Sequence, residues 1–188
     1  LKQSRIKSMK IYTRDGDDGT TGLLYGQRVS KDSPQPSAYG DVDEAQAAIG
    51  LARAAADQEV GEILLVIESE LWIAMAELAC SPGQMSKLTE TGNRISSSQV
   101  KKLEELIDQI TEKYEQPTEF VLPGGSEVSA RLDLARAITR RAERTVLPVV
   151  EEDSQILPYL NRLADLLWVM ARWQEETSIT SRSINSPK

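Results

Sequence analysis

Four arginines stand close together in one stretch of the 188-residue chain: Arg136, Arg140, Arg141 and Arg144. In a helix, the four-residue spacing puts Arg136, Arg140 and Arg144 on one face, with Arg141 beside them. Like charges so placed repel by roughly 0.2–0.5 kcal/mol per pair, and Asp133 and Glu143 can offset part of that. A row of guanidinium forks suits a polyanion such as a triphosphate. It equally suits a solvated basic face with local ion pairs, and the helix alone does not decide between the two.

A second candidate lies near the start, in TRDGDDGTTGLLYGQRVSK. Gly16, Gly19, Gly22 and Gly26 allow positive φ, so successive N–H groups can turn toward an anion. Thr13, Thr20 and Thr21 add hydroxyl donors, and Arg14 and Lys31 add charge. The aspartates, Asp17 among them, sit awkwardly beside a phosphate unless they hold Mg²⁺ or pair with arginines. The pattern is not an EF-hand, because Thr20 and Gly26 stand where Gly and Glu are needed. No Gly-Lys pair exists for a P-loop, and this stretch has no Gly-x-Gly. A plain turn-rich loop is the simpler alternative.

Single residues add to these groups. Asp43 lies early in a helix predicted over 37–56, where the helix dipole alone accounts for an acid. Phe120 is the one phenylalanine of the chain, and filling core beside a helix start is the simpler expectation for it. Asn161 shares a helix face with Asp165, Trp168 and Arg172.

These residues need a scaffold, and the apolar spacing supplies helices. A first runs over 37–56 with Ser37 as cap, and a second over 59–80 is ended by Ser81-Pro82-Gly83. A polar loop follows at 84–94. A third helix covers 99–114, capped by Ser97 or Ser98. The arginine helix follows Ser126 as cap and stops at Pro148, with its densest stretch at 131–149. The last covers 154–177. The class is all-α, a single domain over 9–177 built as an antiparallel five-helix bundle. Residues 1–8 read as a disordered leader and 178–188 as a disordered tail.

Composition removes several functions. The net charge of −7 argues against general nucleic-acid binding. No apolar run reaches the roughly 20 residues that span a bilayer. The lone Cys80 fits a reducing compartment, the cytoplasm or a mitochondrial matrix. With no histidine, imidazole catalysis and His-ligated metal sites are excluded.

Four blocks together resemble one family. TRDGDDGTTGL, YGDVDEAQAAIG, RAITRRAER and YLNRLADLLWVMAR occur in the order and spacing of the PduO-type ATP:cob(I)alamin adenosyltransferases, over 10–175. The resemblance implies a ferritin-like up-and-down five-helix subunit, a homotrimer and active sites between subunits. It implies transfer of the 5′-deoxyadenosyl group of ATP to cob(I)alamin, with release of triphosphate and formation of adenosylcobalamin. ATP contacts then fall to Thr13, Arg14, Gly16, Asp17, Gly19, Thr20, Thr21 and Lys31, with Arg140, Arg141, Glu143, Arg144 and Asn161 across the subunit boundary. Mg²⁺ would accompany the phosphates, with Glu143 as its candidate protein ligand. Arg136 would pair with Asp43 of a neighbour near the corrinoid, replacing the dipole account of Asp43. Phe120 would lie under the corrin ring, displacing the lower axial ligand of cobalt. Expected partners are a cob(II)alamin reductase and an acceptor enzyme that uses the product. The chain departs from the family at Asp133, where histidine is common, at Ala45, at Trp168, and in lacking a C-terminal aromatic. A nucleotide-binding regulator or corrinoid chaperone, and a plain helical interaction protein, remain the other classes.

Overall fold

Five of the six helices lie where the apolar spacing put them, but the boundaries move where capping chemistry decides. A computed structural model describes residues 11–175 and 177–181; the expected leader at 1–8 lies outside them. Six helices and one hairpin occur among the described residues. They are β1 (Thr20–Gly22), β2 (Arg28–Ser30), α1 (Pro34–Arg53), α2 (Gln58–Leu78), α3 (Met85–Thr91), α4 (Ser97–Thr111), α5 (Glu127–Val146) and α6 (Ile156–Trp173).

The arginine helix α5 starts where expected. The Ser126 hydroxyl accepts from the Ser129 N–H at 3.0 Å, meeting one of the orphan donors of the first turn. Helix α1 starts earlier than 37–56, with Ser33 as cap and Pro34 in its first turn, where a missing N–H costs nothing. Ser37 therefore sits inside the helix, its hydroxyl donating to the Ser33 carbonyl. Asp43 falls nearly three turns in, beyond the reach of the dipole. The polar stretch 84–94, expected as a loop, contains α3, held by the buried Leu88 and ended by Gly92 at φ +70°. That makes six helices instead of five, the sixth a short one.

Paired contacts set the directions. Gln35 reaches the Leu78 and Cys80 carbonyls while Arg53 pairs with Glu68, so α1 and α2 are antiparallel. Thr145 meets Asp41 and Arg131 meets the Leu51 carbonyl, so α5 runs against α1. Arg172 meets Asp133 and Asn161 meets Glu143, so α6 runs against α5. Between them lies one apolar core that includes Ile49, Leu71, Leu132, Leu160 and Leu167. No helix among the described residues is long and apolar enough to cross a membrane.

The glycine-threonine segment, expected to lack regular structure, closes into a two-stranded antiparallel hairpin. Gly26, at φ +114°, and Tyr25, at φ +66°, make its turn. Leu23 is buried, and the Leu24 backbone bonds Ala79 and Ser81, which fixes the hairpin to the end of α2.

Far from the arginines, Glu77 ties three segments together. Its buried carboxylate accepts from Arg94, from the Ile95 N–H at 3.0 Å and from the Ser154 hydroxyl at 2.7 Å. Glu77→Ala strands the Ile95 N–H and the Ser154 hydroxyl and leaves Arg94 paired with Asp153 alone, so we expect it to cost about 2 kcal/mol. Urea unfolding checks this, and an unchanged midpoint would show the clamp contributes nothing.

Of the disordered tail expected at 178–188, the described residues 179–181 pair with 120–122 through an isolated antiparallel bridge, Val121 opposite Thr180. Leu122 N–H donates to the Ile179 carbonyl and Ser181 N–H to the Phe120 carbonyl.

Candidate active site

The site residues form three groups held by different elements. The first is the hairpin approach. The Asp17 N–H bonds the Arg14 carbonyl and the Gly19 N–H bonds that of Gly16, so 14–19 is a pair of tight turns. Gly19, at φ +82°, places its carbonyl for the Lys31 N–H at 2.9 Å. A Cβ on Gly16 would stand 3.0 Å from Lys31 Nζ and from the Thr20 carbonyl, so a side chain here would crowd the ammonium that lies over this turn. Thr13 accepts from the Asp15 N–H. The Thr20 hydroxyl donates to Asp18 and accepts from Arg28. These bonds from Thr20 hold the Asp18 carboxyl below its ordinary range. Sequence reading missed Arg28, which also binds the Asp15 carbonyl. It takes up one of the acids beside the anion loop, Asp18, and leaves Lys31 over the glycine turn.

The second group is the exposed end of α5. Arg140 and Arg144 have no carboxylate partner among the described residues; Arg144 Nη1 donates to the Arg140 carbonyl at 2.7 Å. Arg141 differs. It is ion-paired with Glu44 and lies 4.0 Å from Asp41, both on α1, and those acids raise its pKa, Glu44 first. It would have to leave α1 to reach a ligand. Glu143 accepts from Asn161 Nδ2 at 3.1 Å, which joins the two candidates across α5 and α6.

The third group surrounds Phe120. The expectation that this ring fills core is overturned, since Phe120 is 74 % exposed. It lines a cleft of about 260 Å³ with Arg136, Asp133, Trp168 and Arg172. The cleft floor is a charge network. Arg172 Nη2 donates to Asp133 Oδ2 and, at 2.7 Å, to Glu175 Oε1. Asp133 Oδ1 accepts from Arg136 Nε at 3.0 Å. Residues 120–122 are held in place by the backbone bonds to 179–181. Trp168 and Arg172 stood on the helix face noted in the sequence, but the cleft they line shows only once α5 and α6 are packed.

Within one chain the three groups stay apart. No hydrogen bond or ion pair joins the 13–31 segment to α5 among the described residues. Asp43 is exposed on α1 and makes no polar contact among the described residues, while Arg136 faces α6. No cluster of three or more acidic, histidine or cysteine side chains that could hold a metal occurs among the described residues.

Comparison with known proteins gives one consistent answer. Residues 11–174 match the family model described as cobalamin adenosyltransferase. The corrinoid adenosyltransferase PduO of Salmonella typhimurium is 42 % identical over 171 residues, 89 % of this chain, and the chain spans half of that protein's length. The corrinoid adenosyltransferase of Mycobacterium bovis is 42 % identical over 170 residues, covering 87 % of each. Among solved structures, a variant PduO-type ATP:corrinoid adenosyltransferase from Lactobacillus reuteri, complexed with cobalamin and ATP, superposes with a TM-score of 0.81 at 30 % identity, over 92 % of this chain and 99 % of that one.

Proposed function

The chain belongs to the cobalamin adenosyltransferase family, and on that premise we propose that it transfers the 5′-deoxyadenosyl group of ATP to cob(I)alamin, yielding adenosylcobalamin and triphosphate. The observation that carries the reading is Phe120. Single apolar side chains are ordinary on a protein surface, but this ring stands at the mouth of a cleft beside Arg136 and Trp168, where a flat apolar ligand can cover it.

Cob(I)alamin is itself a strong nucleophile, so the reaction needs no general base, and a chain without histidine loses nothing. The Co–C5′ bond forms as the C5′–O bond breaks, and the electron pair leaves with the triphosphate. The protein positions the two substrates and stabilises the charge that gathers on the leaving group. Arg140 and Arg144, which have no carboxylate partner among the described residues, bind the polyphosphate. Lys31 closes on it from the hairpin, with those N–H groups of 14–19 that the turns do not use. In this assignment Arg141 gives up its α1 partners when ATP is bound. Mg²⁺ bound with the nucleotide would neutralise phosphate charge. Glu143 is suited to hold it, one carboxylate oxygen being fixed by Asn161 and the other carrying no hydrogen bond among the described residues.

Hairpin and arginine row are not joined within one chain, which favours a site completed by a neighbour. We therefore take the working form to be a homotrimer, with the hairpin of one subunit facing α5 of the next and Asp43 of one subunit meeting Arg136 of another. The partners implied are a cob(II)alamin reductase and an acceptor that uses the product, in the cytoplasm or a mitochondrial matrix.

The test is direct. Protein, ATP, Mg²⁺ and chemically reduced cob(I)alamin are mixed in the dark and the visible spectrum followed. A photolabile Co–C product establishes the activity. Binding of ATP without product would favour a regulator or corrinoid chaperone instead.

A further inference from the structure

We propose that Asp133, held by Arg172, is a positioning residue that aims Arg136 into the corrinoid cleft. The proposal rests on the corrinoid reading of that cleft. Asp133 is 4 % exposed and Arg172 is 3 % exposed, so both charges have been taken out of water. A buried pair of this kind costs desolvation energy that an apolar pair would avoid, and its best-attested use is to fix one arrangement among several.

The geometry shows which arrangement is fixed. Asp133 divides its two oxygens, Oδ2 accepting from Arg172 on α6 and Oδ1 accepting from Arg136 Nε one turn along α5. Glu175 takes the same Arg172 nitrogen from the other side and is itself held by the Ser129 hydroxyl at 2.7 Å. Asp133 therefore cannot rotate without breaking a bond to a buried cation. Arg136 is bound only through Nε, and neither Nη group has a partner among the described residues. A guanidinium clamped at Nε presents its two Nη groups forward as a fork with little freedom left to lose. That fork lines the cleft with Phe120 and Trp168. Without Asp133 the long arginine side chain would sample many rotamers and pay that entropy on binding.

Asp133→Asn tests this, since the amide keeps the volume and Glu175 still accompanies Arg172. The wild type is first shown to form adenosylcobalamin; its failure would defeat the functional reading and not this proposal. In the variant, KM for the corrinoid is expected to rise about tenfold, with KM for ATP unchanged. In an Arg136→Ala background the same substitution is expected to have no further effect, because Asp133 acts through Arg136. An unchanged corrinoid KM in the single variant, or a full additional loss in the double variant, overturns the proposal. Should Asp133→Asn fail to fold, Arg172→Lys replaces it, keeping a cation against Glu175 but not the two-acid bridge. The same loss, abolished by Arg136→Ala, is expected, and additivity or no loss overturns the proposal.

Discussion

Phe120→Ala is expected to leave ATP affinity unchanged and to reduce turnover starting from cob(II)alamin by about a hundredfold. That factor corresponds to the roughly 1.5–3 kcal/mol of apolar burial that a phenylalanine side chain supplies. Phe120 shares its cleft with Arg136 but not with Arg140, Arg144 or the hairpin, so nucleotide binding should not register its loss. Cobalt(II) resists reduction while a lower axial ligand remains. A ring pressed beneath the corrin plane excludes that ligand and water together, and alanine excludes neither. Cobalt(I) carries no lower ligand, so pre-reduced cob(I)alamin should restore most of the rate. Parallel assays from cob(II)alamin with a reductant and from pre-reduced cob(I)alamin separate the two steps. Equal losses in both would mean that Phe120 serves corrinoid affinity and not the change in cobalt coordination. A five-coordinate cobalt spectrum in the wild type with ATP would exclude the displacement itself.

Which parts of this site were legible in the sequence follows from how local their causes are. Helix α5 was, because its cap at Ser126, its apolar stripe and the stop at Pro148 all lie within the segment. The start of α1 was not, since Ser33-Pro34 and Ser37 both offer plausible caps and only the hairpin before it chooses. Helix α3 spans seven residues, too few for a period to show. The hairpin strands are three residues each, too short for an alternating pattern. The exposure of Phe120 could not be read, because a single phenylalanine beside a helix start carries no directional signal. Its direction comes from residues 179–181, more than fifty positions away, whose backbone bonds set the 120–122 segment. The arginine row showed four similar cations, and the fold divides them. Arg141 is matched to Glu44 and Asp41 of α1, Arg136 to Asp133 of its own helix, and Arg140 and Arg144 to no acid among the described residues. Charge pairing between distant helices is invisible to spacing along one of them, and it is this pairing that ranks the four for ligand binding.

That ranking makes Arg140→Ala the second large effect. A charge-assisted hydrogen bond to phosphate is worth roughly 1.5–3 kcal/mol, so we expect kcat/KM for ATP to fall about thirtyfold, with corrinoid KM unchanged. If Arg140 only anchors ground-state ATP, the loss appears in KM. If it stabilises charge on the departing triphosphate, the loss appears in kcat, and single-turnover rates at saturating ATP distinguish the two. Arg141→Ala serves as the internal comparison, because its guanidinium is occupied by α1 in the free subunit. Whatever ATP gains from Arg141 must first offset the pairs with Glu44 and Asp41, so its removal should change ATP kinetics less than removal of Arg140. A larger effect from Arg141 than from Arg140 would mean that the α1 pairs open when the site is assembled between subunits. Unchanged kinetics in Arg140→Ala would remove that residue from the site and return the arginine row to a solvated face. The result separates a helix that merely tolerates charge from one that uses it, which the spacing of Arg136, Arg140 and Arg144 alone does not.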